Sequence, residues 1–187
     1  MWVPLTQFGP ITLLLKSKNR LVFLFVALLL TGCTSIPSGI EPVQDFNLQR
    51  YLGKWYEIAR YDHSFEQGLE QVTAQYSLRN DGGVKVVNRG FNQQEQAWEE
   101  AVGKAYFVDD ESTGHLKVSF FGPFYASYVI FSLDIQDYDY AMITGPNRDY
   151  LWILARQPKL PPEVMQNLLE KAGDAGFDTQ KLIFVDH

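Results

Sequence analysis

A single cysteine, Cys33, and three histidines stand in a chain of 187 residues. One thiol has no partner within the chain, so a disulfide-stapled scaffold is excluded. His63, His115 and His187 are isolated, with no helical or strand spacing that would aim two of them at one metal ion. Cationic side chains are also scarce: 16 Lys and Arg against 22 Asp and Glu leave a formal net charge of −6. Such a chain has no electrostatic footprint for nucleic acid. Its longest apolar run, Leu21 to Leu30, is about half of the 20 or so residues that a membrane-spanning helix needs.

That short run has a context. Lys16, Lys18 and Arg20 precede it and Leu30-Thr31-Gly32-Cys33 follows, the order of basic region, apolar core and small residues found in export signals. Leu30 to Cys33 resembles the lipobox of bacterial lipoproteins, in which the cysteine is acylated and becomes the first mature residue. The resemblance implies a signal peptide over 1–32, lipidation at Cys33, and anchorage to a membrane through that residue. Thr34, where an Asp resembles an inner-membrane retention signal, implies transfer to the outer membrane, with the folded domain facing the periplasm. Loss of Lys16, Lys18 and Arg20 with the leader takes the net charge from −6 to −9. Acyl chains, rather than charge, must then supply the membrane contact. Residues 33–45, with Ser35, Pro37, Ser38, Gly39 and Pro42, read as the acylated N-terminus and a short tether. Residues 46–187 are enough for one domain with its own core.

Within that domain the pattern is one of short runs separated by turn residues. Strands are predicted over Trp55–Tyr61, Val72–Arg79, Val84–Phe91, Trp98–Phe107, Leu116–Phe121, Ser127–Leu133, Tyr140–Gly145 and Tyr150–Arg156. Asn80-Asp81-Gly82-Gly83 and the stretch 145–149 read as hairpin turns. About eight sequential strands at even spacing form an up-and-down sheet that closes into a barrel with room for one small ligand. A C-terminal helix is predicted over about 161–173, with Val164, Met165, Leu168, Leu169 and Ala172 on one stripe. It is expected to cover Tyr56, Ile58, Leu151 and Ile153 on the outside of the first and eighth strands, ahead of a final strand. The fold class is therefore all-β, an eight-stranded antiparallel barrel with one external helix.

Charges fix which residues face inward. Lys85 and Arg89 outside send Val84, Val86 and Asn88 inside; Lys104 outside sends Ala101, Gly103 and Ala105 inside; Lys117 outside sends Val118 and Phe120 inside. The small inward residues argue for an interior that its own side chains do not fill. Trp55 points inward at the bottom of the barrel, where Gly53 lets the chain turn, and Arg156 arrives over the same indole.

Gly53-x-Trp55, Asp137-Tyr138 and Arg156 match, in order and spacing, the three signature motifs of the lipocalins. Gln136 stands where that family usually has Thr. The stretches "YLGKWYEIAR", "KVSFFGPFY" and "GPNRDYLWILARQP" resemble the bacterial outer-membrane lipocalins over essentially residues 45–187. The resemblance implies a carrier or store of a fatty acid or lysophospholipid in envelope lipid maintenance or stress. No cofactor and no metal is assigned.

The expected ligand lining is Ala74, Tyr76, Val86, Asn88, Ala101, Ala105, Val118, Phe120, Met142, Tyr150 and Trp152. Glu57 shares the Trp55 face and needs a partner or a raised pKa; pairing with a nearby arginine is the plainer alternative to a head-group role. No catalytic residue is assigned, although some lipocalins are enzymes, and a non-binding structural lipoprotein is the other alternative. Asp134, Asp137 and Asp139 read as a metal loop or as a solvated turn. The aromatic stretch 120–128 reads as a homodimer contact, a membrane-touching lip or an ordinary hairpin loop.

Overall fold

The computed structural model describes residues 34–187; the expected leader, 1–32, and Cys33 lie outside the described residues. The eight predicted strands are β1 (Gly53–Tyr61), β2 (Leu69–Leu78), β3 (Val84–Asn92), β4 (Ala97–Phe107), β5 (His115–Ser119), β6 (Ala126–Leu133), β7 (Tyr140–Thr144) and β8 (Leu151–Ala155). Each pairs antiparallel with the next, and β8 pairs back onto β1 with Tyr56 opposite Ala155. The barrel is therefore closed, β1 pairing with both β2 and β8. The β2–β3 hairpin forms where its turn residues predict: Gly82 has φ +82°, and the Asp81 side chain accepts from the Gly83 amide at 3.1 Å.

Closure is not uniform along β1. Gly53–Tyr56 pair with β2, but beyond a bulge between Glu57 and Ala59 the same edge pairs with a ninth strand, β9 (Leu182–Phe184). In β2 a second irregularity, between Glu70 and Thr73, accompanies that exchange; Gln71 there has φ +51° and donates its amide to the Asp186 carbonyl at 2.8 Å. Bulges of this kind insert a residue and reverse the facing of the residues beyond it.

One short helix was not legible in the sequence: α1 (Leu48–Tyr51), capped by the Asn47 side chain accepting from the Arg50 amide. It crosses the end of the barrel at which β1 starts. The longer α2 (Pro162–Asp174) lies outside and buries Leu168 and Ala172 from the predicted stripe. These pack with Ile58, Leu151 and Ile153, as expected, and with Val129, Phe177 and Leu182. Complete burial of one leucine such as Leu168 contributes about 1.5–3 kcal/mol.

Two apolar layers result, one inside the barrel and one between its wall and α2. The segment 34–45, read from composition as a short tether, is laid along the wall. The Val43 amide donates to Ile130 O, the Gly114 amide donates to Val43 O, and Ile40 is buried in the outer layer. A Cβ on Gly114 would lie 2.7 Å from Val43 Cγ2, so glycine there allows the segment to approach. Isolated apolar residues such as Ile36, Ile40 and Val43 carry no periodicity, which is why composition alone read as linker.

Candidate ligand site within the barrel

The floor of the barrel is built on Trp55. Its indole is fully buried and donates to Tyr51 O at 2.8 Å, and the Arg156 guanidinium lies 4.0 Å from its ring centre. Arg156 Nη1 also donates to Lys54 O and Nη2 to Arg50 O. One planar cation thus ties the start of β1 to α1. Gly53, at φ +97°, makes the turn between them in a conformation that L side chains rarely adopt. Tyr138, at φ +61°, is buried, accepts from the Asn47 amide at 2.9 Å, and has Arg50 over its ring. Asp137 beside it is exposed, and the acidic stretch forms a turn in which Asp134 O accepts from the Tyr138 amide.

Above the floor, Tyr128 Oη stands 2.8 Å from both Tyr51 Oη and Tyr76 Oη. Burial pushes the pKa of all three phenols up, so they remain neutral hydrogen-bonding groups. Ala74, Tyr76, Val86 and Ala105 are buried in this inner layer, and Val118, Phe120 and Trp152 are half-buried against it. The inward positions of β4 then show a gradient. Ala105 and Gly103 are buried, whereas Ala101, opposite Asn88, is exposed. The lower barrel is filled and the upper barrel is open.

Two expectations are corrected. Met142 belongs to the outer layer, opposite Ile153 and beneath α2, while Ala141 and Ile143 face inward. The run "YAMIT" has no charged residue to set its phase, so its facing was not fixed by alternation. Gly103 is small for a different reason than an empty interior. A Cβ there would lie 2.9 Å from the Phe120 ring, so the glycine accommodates that neighbour.

The upper barrel holds a buried charged group that strict alternation did not place inside. The bulge after Glu57 turns Arg60 inward, in register with Trp152. Arg60 Nη1 donates to Glu57 Oε1 at 2.8 Å, and Nη2 donates to Glu66 O and Leu69 O. The Glu66 carboxylate in turn accepts from Trp152 Nε1 at 3.0 Å. The Arg60 contact favours an ionised Glu57, but burial and the neighbouring Glu66 charge act the other way and prevail, raising its pKa to about 8. Burial also raises Glu66. At the rim, Tyr150 stacks on His63 and on Trp152, with centroids 4.7 and 5.9 Å apart. Arg60 Nε, His63 Nε2 and Asn88 Oδ1 are buried without a protein partner. His63, Glu66 and Tyr128 carried no sequence signal beyond residue type.

Comparison with known proteins agrees with this architecture. Residues 46–187 match the family model described as a lipocalin-like domain. An outer membrane lipoprotein Blc of Vibrio cholerae is 53% identical over 167 residues, covering 89% of this chain and 98% of that protein. The protein of the same name from Escherichia coli K12 is 51% identical over 161 residues, covering 85% and 90%. Among solved structures, insecticyanin from the tobacco hornworm superposes with a TM-score of 0.65 at 21% identity, covering 82% of this chain and 87% of that one, a likeness of fold. A closed eight-stranded barrel with one C-terminal helix, a family match across it and half-identical relatives over nearly the whole length identify the chain as a member of the lipocalin family, in its branch of lipid-anchored bacterial outer-membrane proteins.

Proposed function

We propose that this protein carries or stores a single-chain lipid, a fatty acid or a lysophospholipid, at the periplasmic face of the outer membrane, held there by an acylated Cys33. The observation that carries the reading is the burial gradient inside the barrel, packed around Trp55 and open above Asn88 and Ala101. An acyl chain entering from the open end meets Val118, Phe120, Trp152 and Tyr150 first and the tyrosine layer below.

Polar groups stand where the lipid head would come to rest. Asn88 Oδ1 and Arg60 Nε are buried without a protein partner, and an unpaired buried polar atom costs about 1–3 kcal/mol. A ligand hydroxyl or phosphate offsets that cost. The other nitrogens of Arg60 are committed to Glu57 and to two carbonyls, so no free guanidinium fork is offered to a carboxylate. Recognition is therefore dominated by the chain, with the head group of secondary weight. The relatives are named as lipoproteins rather than as enzymes, and no residue here is assigned to catalysis.

The test is a titration of residues 34–187, followed by tryptophan fluorescence, against fatty acids and lysophospholipids of matched and increasing chain length. Saturable binding that tightens by about 0.8 kcal/mol, or roughly fourfold, per added methylene is expected until the barrel is filled. Absence of binding by either class would leave the structural lipoprotein as the reading.

A further inference from the structure

We infer that Glu57 and Glu66 select the lipid head by charge: an anionic head settles beside Arg60 only together with a proton from solution, whereas an uncharged head needs none. The inference rests on the reading that a single-chain lipid lies in the barrel with its head in the upper half. There, three buried charged residues share one site. Glu57, Arg60 and Glu66 are 4%, 2% and 6% exposed, so water screens their charges poorly. Glu57 and Arg60 stand on β1, and Glu66 is held in the β1–β2 loop, where its amide donates to His63 O at 2.9 Å. Arg60 donates to the Glu57 carboxylate and to the Glu66 and Leu69 carbonyls, and Trp152 Nε1 donates to Glu66 Oε2. Two acids against one guanidinium carry a surplus negative charge when both are ionised, and none when one holds a proton.

The surroundings do not cancel that surplus. Tyr76 on β2 and His63 in the loop lie close to the pair; burial pushes the phenol up and the imidazole down, although Asp62 and Asp149 act against the latter, so both are uncharged at neutral pH. Asn88 on β3 and Trp152 on β8 do not ionise. Glu99, on the Ala101 side of β4, is exposed and accepts from Asn92 Nδ2. Arg156 stays below, over Trp55, and His187 donates to the Glu57 carbonyl from beside Tyr56. Burial and the Glu66 charge therefore keep Glu57 protonated up to about pH 8. With that proton in place the cluster is balanced, and Arg60 Nε, buried without a protein partner, can donate to a carboxylate, sulfate or phosphate oxygen. Without it, the incoming anion adds to a negative charge already in surplus, at a site where repulsion is poorly screened. Linkage is reciprocal: a head that prefers the protonated pair draws the proton in, and raising the pH expels the head. Affinity for an anion should fall as the pH rises through about 8, toward a limit of about tenfold per pH unit. A glycerol head, with hydroxyls and no charge, is held equally on both sides of that pH.

Residues 34–187, which carry both apolar layers, test this by calorimetry with two lipids of equal chain length, each kept below its aggregation threshold. Dodecyl sulfate has a head that stays anionic, and monolauroylglycerol has one that stays uncharged, so neither ligand titrates. The affinity for dodecyl sulfate should fall roughly 50-fold between about pH 8 and 10, with uptake of about one proton read from two buffers of different ionisation heat. Over the same range the affinity for monolauroylglycerol should stay within a factor of about two. Glu57→Gln should remove most of the fall. Glu66→Gln, which removes the charge opposing ionisation of Glu57, should move the fall to lower pH; it keeps the test open if Glu57→Gln does not fold. Parallel curves for the two lipids, or a dodecyl sulfate curve that neither variant alters, overturn the selection by charge while leaving lipid binding intact. Binding of monolauroylglycerol alone at every pH would show a site closed to anions with or without a proton, and also overturns it. Binding of neither lipid at any pH overturns the carrier reading itself, and the inference with it.

Discussion

Arg60 donates to Glu57 at 2.8 Å from the same strand and the same face, three residues away. Strict alternation would place them on opposite faces. The extra residue, Ile58, is absorbed by the bulge and faces α2, and Ala59 and Tyr61 also face outward. A pair this deeply buried is weak support for stability as such, because desolvation offsets much of the attraction; removing one partner is the costly change. The bulge thus converts a strand that also braces the helix into one that delivers a cation to the upper barrel.

The sign of the resulting pH dependence is fixed by Glu57. Its folded pKa is raised from 4.5 to about 8, so between those limits the folded protein binds a proton that the unfolded chain has released. Its contribution to stability is full below about pH 4.5 and is lost as the pH rises to about 8. Facing it are Arg60, Glu66 and Tyr76, and Glu66 is raised in the same direction, whereas burial lowers His63 and His115. The Glu57→Gln variant keeps those other groups, so the difference between the two proteins reports Glu57 together with its interaction with Glu66 and Arg60. Denaturation at several pH values should show the wild type losing stability relative to Glu57→Gln as the pH rises from 4.5 to 8. A difference that grows in the opposite direction would mean that Arg60 keeps Glu57 ionised. Ligand affinity at neutral pH should change less than stability.

Removing Arg156 should loosen the floor without emptying the mouth. Its guanidinium lies over Trp55 and donates to three carbonyls, Lys54 O, Arg50 O and Tyr138 O. Loss of a cation–π contact and three hydrogen bonds from a half-buried cation, discounted for solvent screening, places Arg156→Ala about 2–4 kcal/mol below the wild type in denaturant titrations. Arg156→Lys should recover only part of this, since an ammonium does not reproduce the planar fork. Equal stability of all three proteins would show that the floor does not depend on this residue.

Gly103 and Phe120 should behave as a coupled pair. A methyl group at Gly103 meets the Phe120 ring at 2.9 Å and Ser119 O at 3.0 Å, so Gly103→Ala should lose about 1–3 kcal/mol by overpacking. Phe120→Ala removes one of the two obstacles, and the double variant should be more stable than the sum of the single losses predicts. Strict additivity in chemical denaturation would mean that the ring does not set the need for glycine.

The fold was legible in the sequence where charge marks a face. Lys85, Arg89, Lys104 and Lys117 set the phase of β3, β4 and β5, and Ala74, Tyr76, Val86 and Ala105 lie in the inner layer as expected. Glycine, tryptophan and arginine at motif spacing located the floor. The phase was lost where both faces are apolar, as at Met142, or where a bulge intervenes, as at Arg60. Bulges depend on what pairs across each edge, here β2 giving way to β9 on β1, and local sequence does not encode a partner some 120 residues away. The same limit applies to residues 34–45, whose burial is decided by the wall that they meet.

Met142 and Val118 separate the two apolar layers by experiment. Met142 is fully buried between the barrel wall and α2, and Val118 is half-buried within the barrel. Met142→Ala opens a cavity under the helix and should cost about 2–5 kcal/mol, measured by denaturant midpoint. Its affinity for a long-chain fatty acid should remain that of the wild type. Val118→Trp places a large ring where the chain is proposed to lie, and should weaken binding while leaving the helix-side packing untouched. If Met142→Ala instead weakens binding as strongly as Val118→Trp, the wall between the layers transmits strain to the site, and β7 must be counted as part of it. If neither substitution changes affinity, the chain does not enter between β5 and β7, and the opening above Asn88 and Ala101 is the place to look for it.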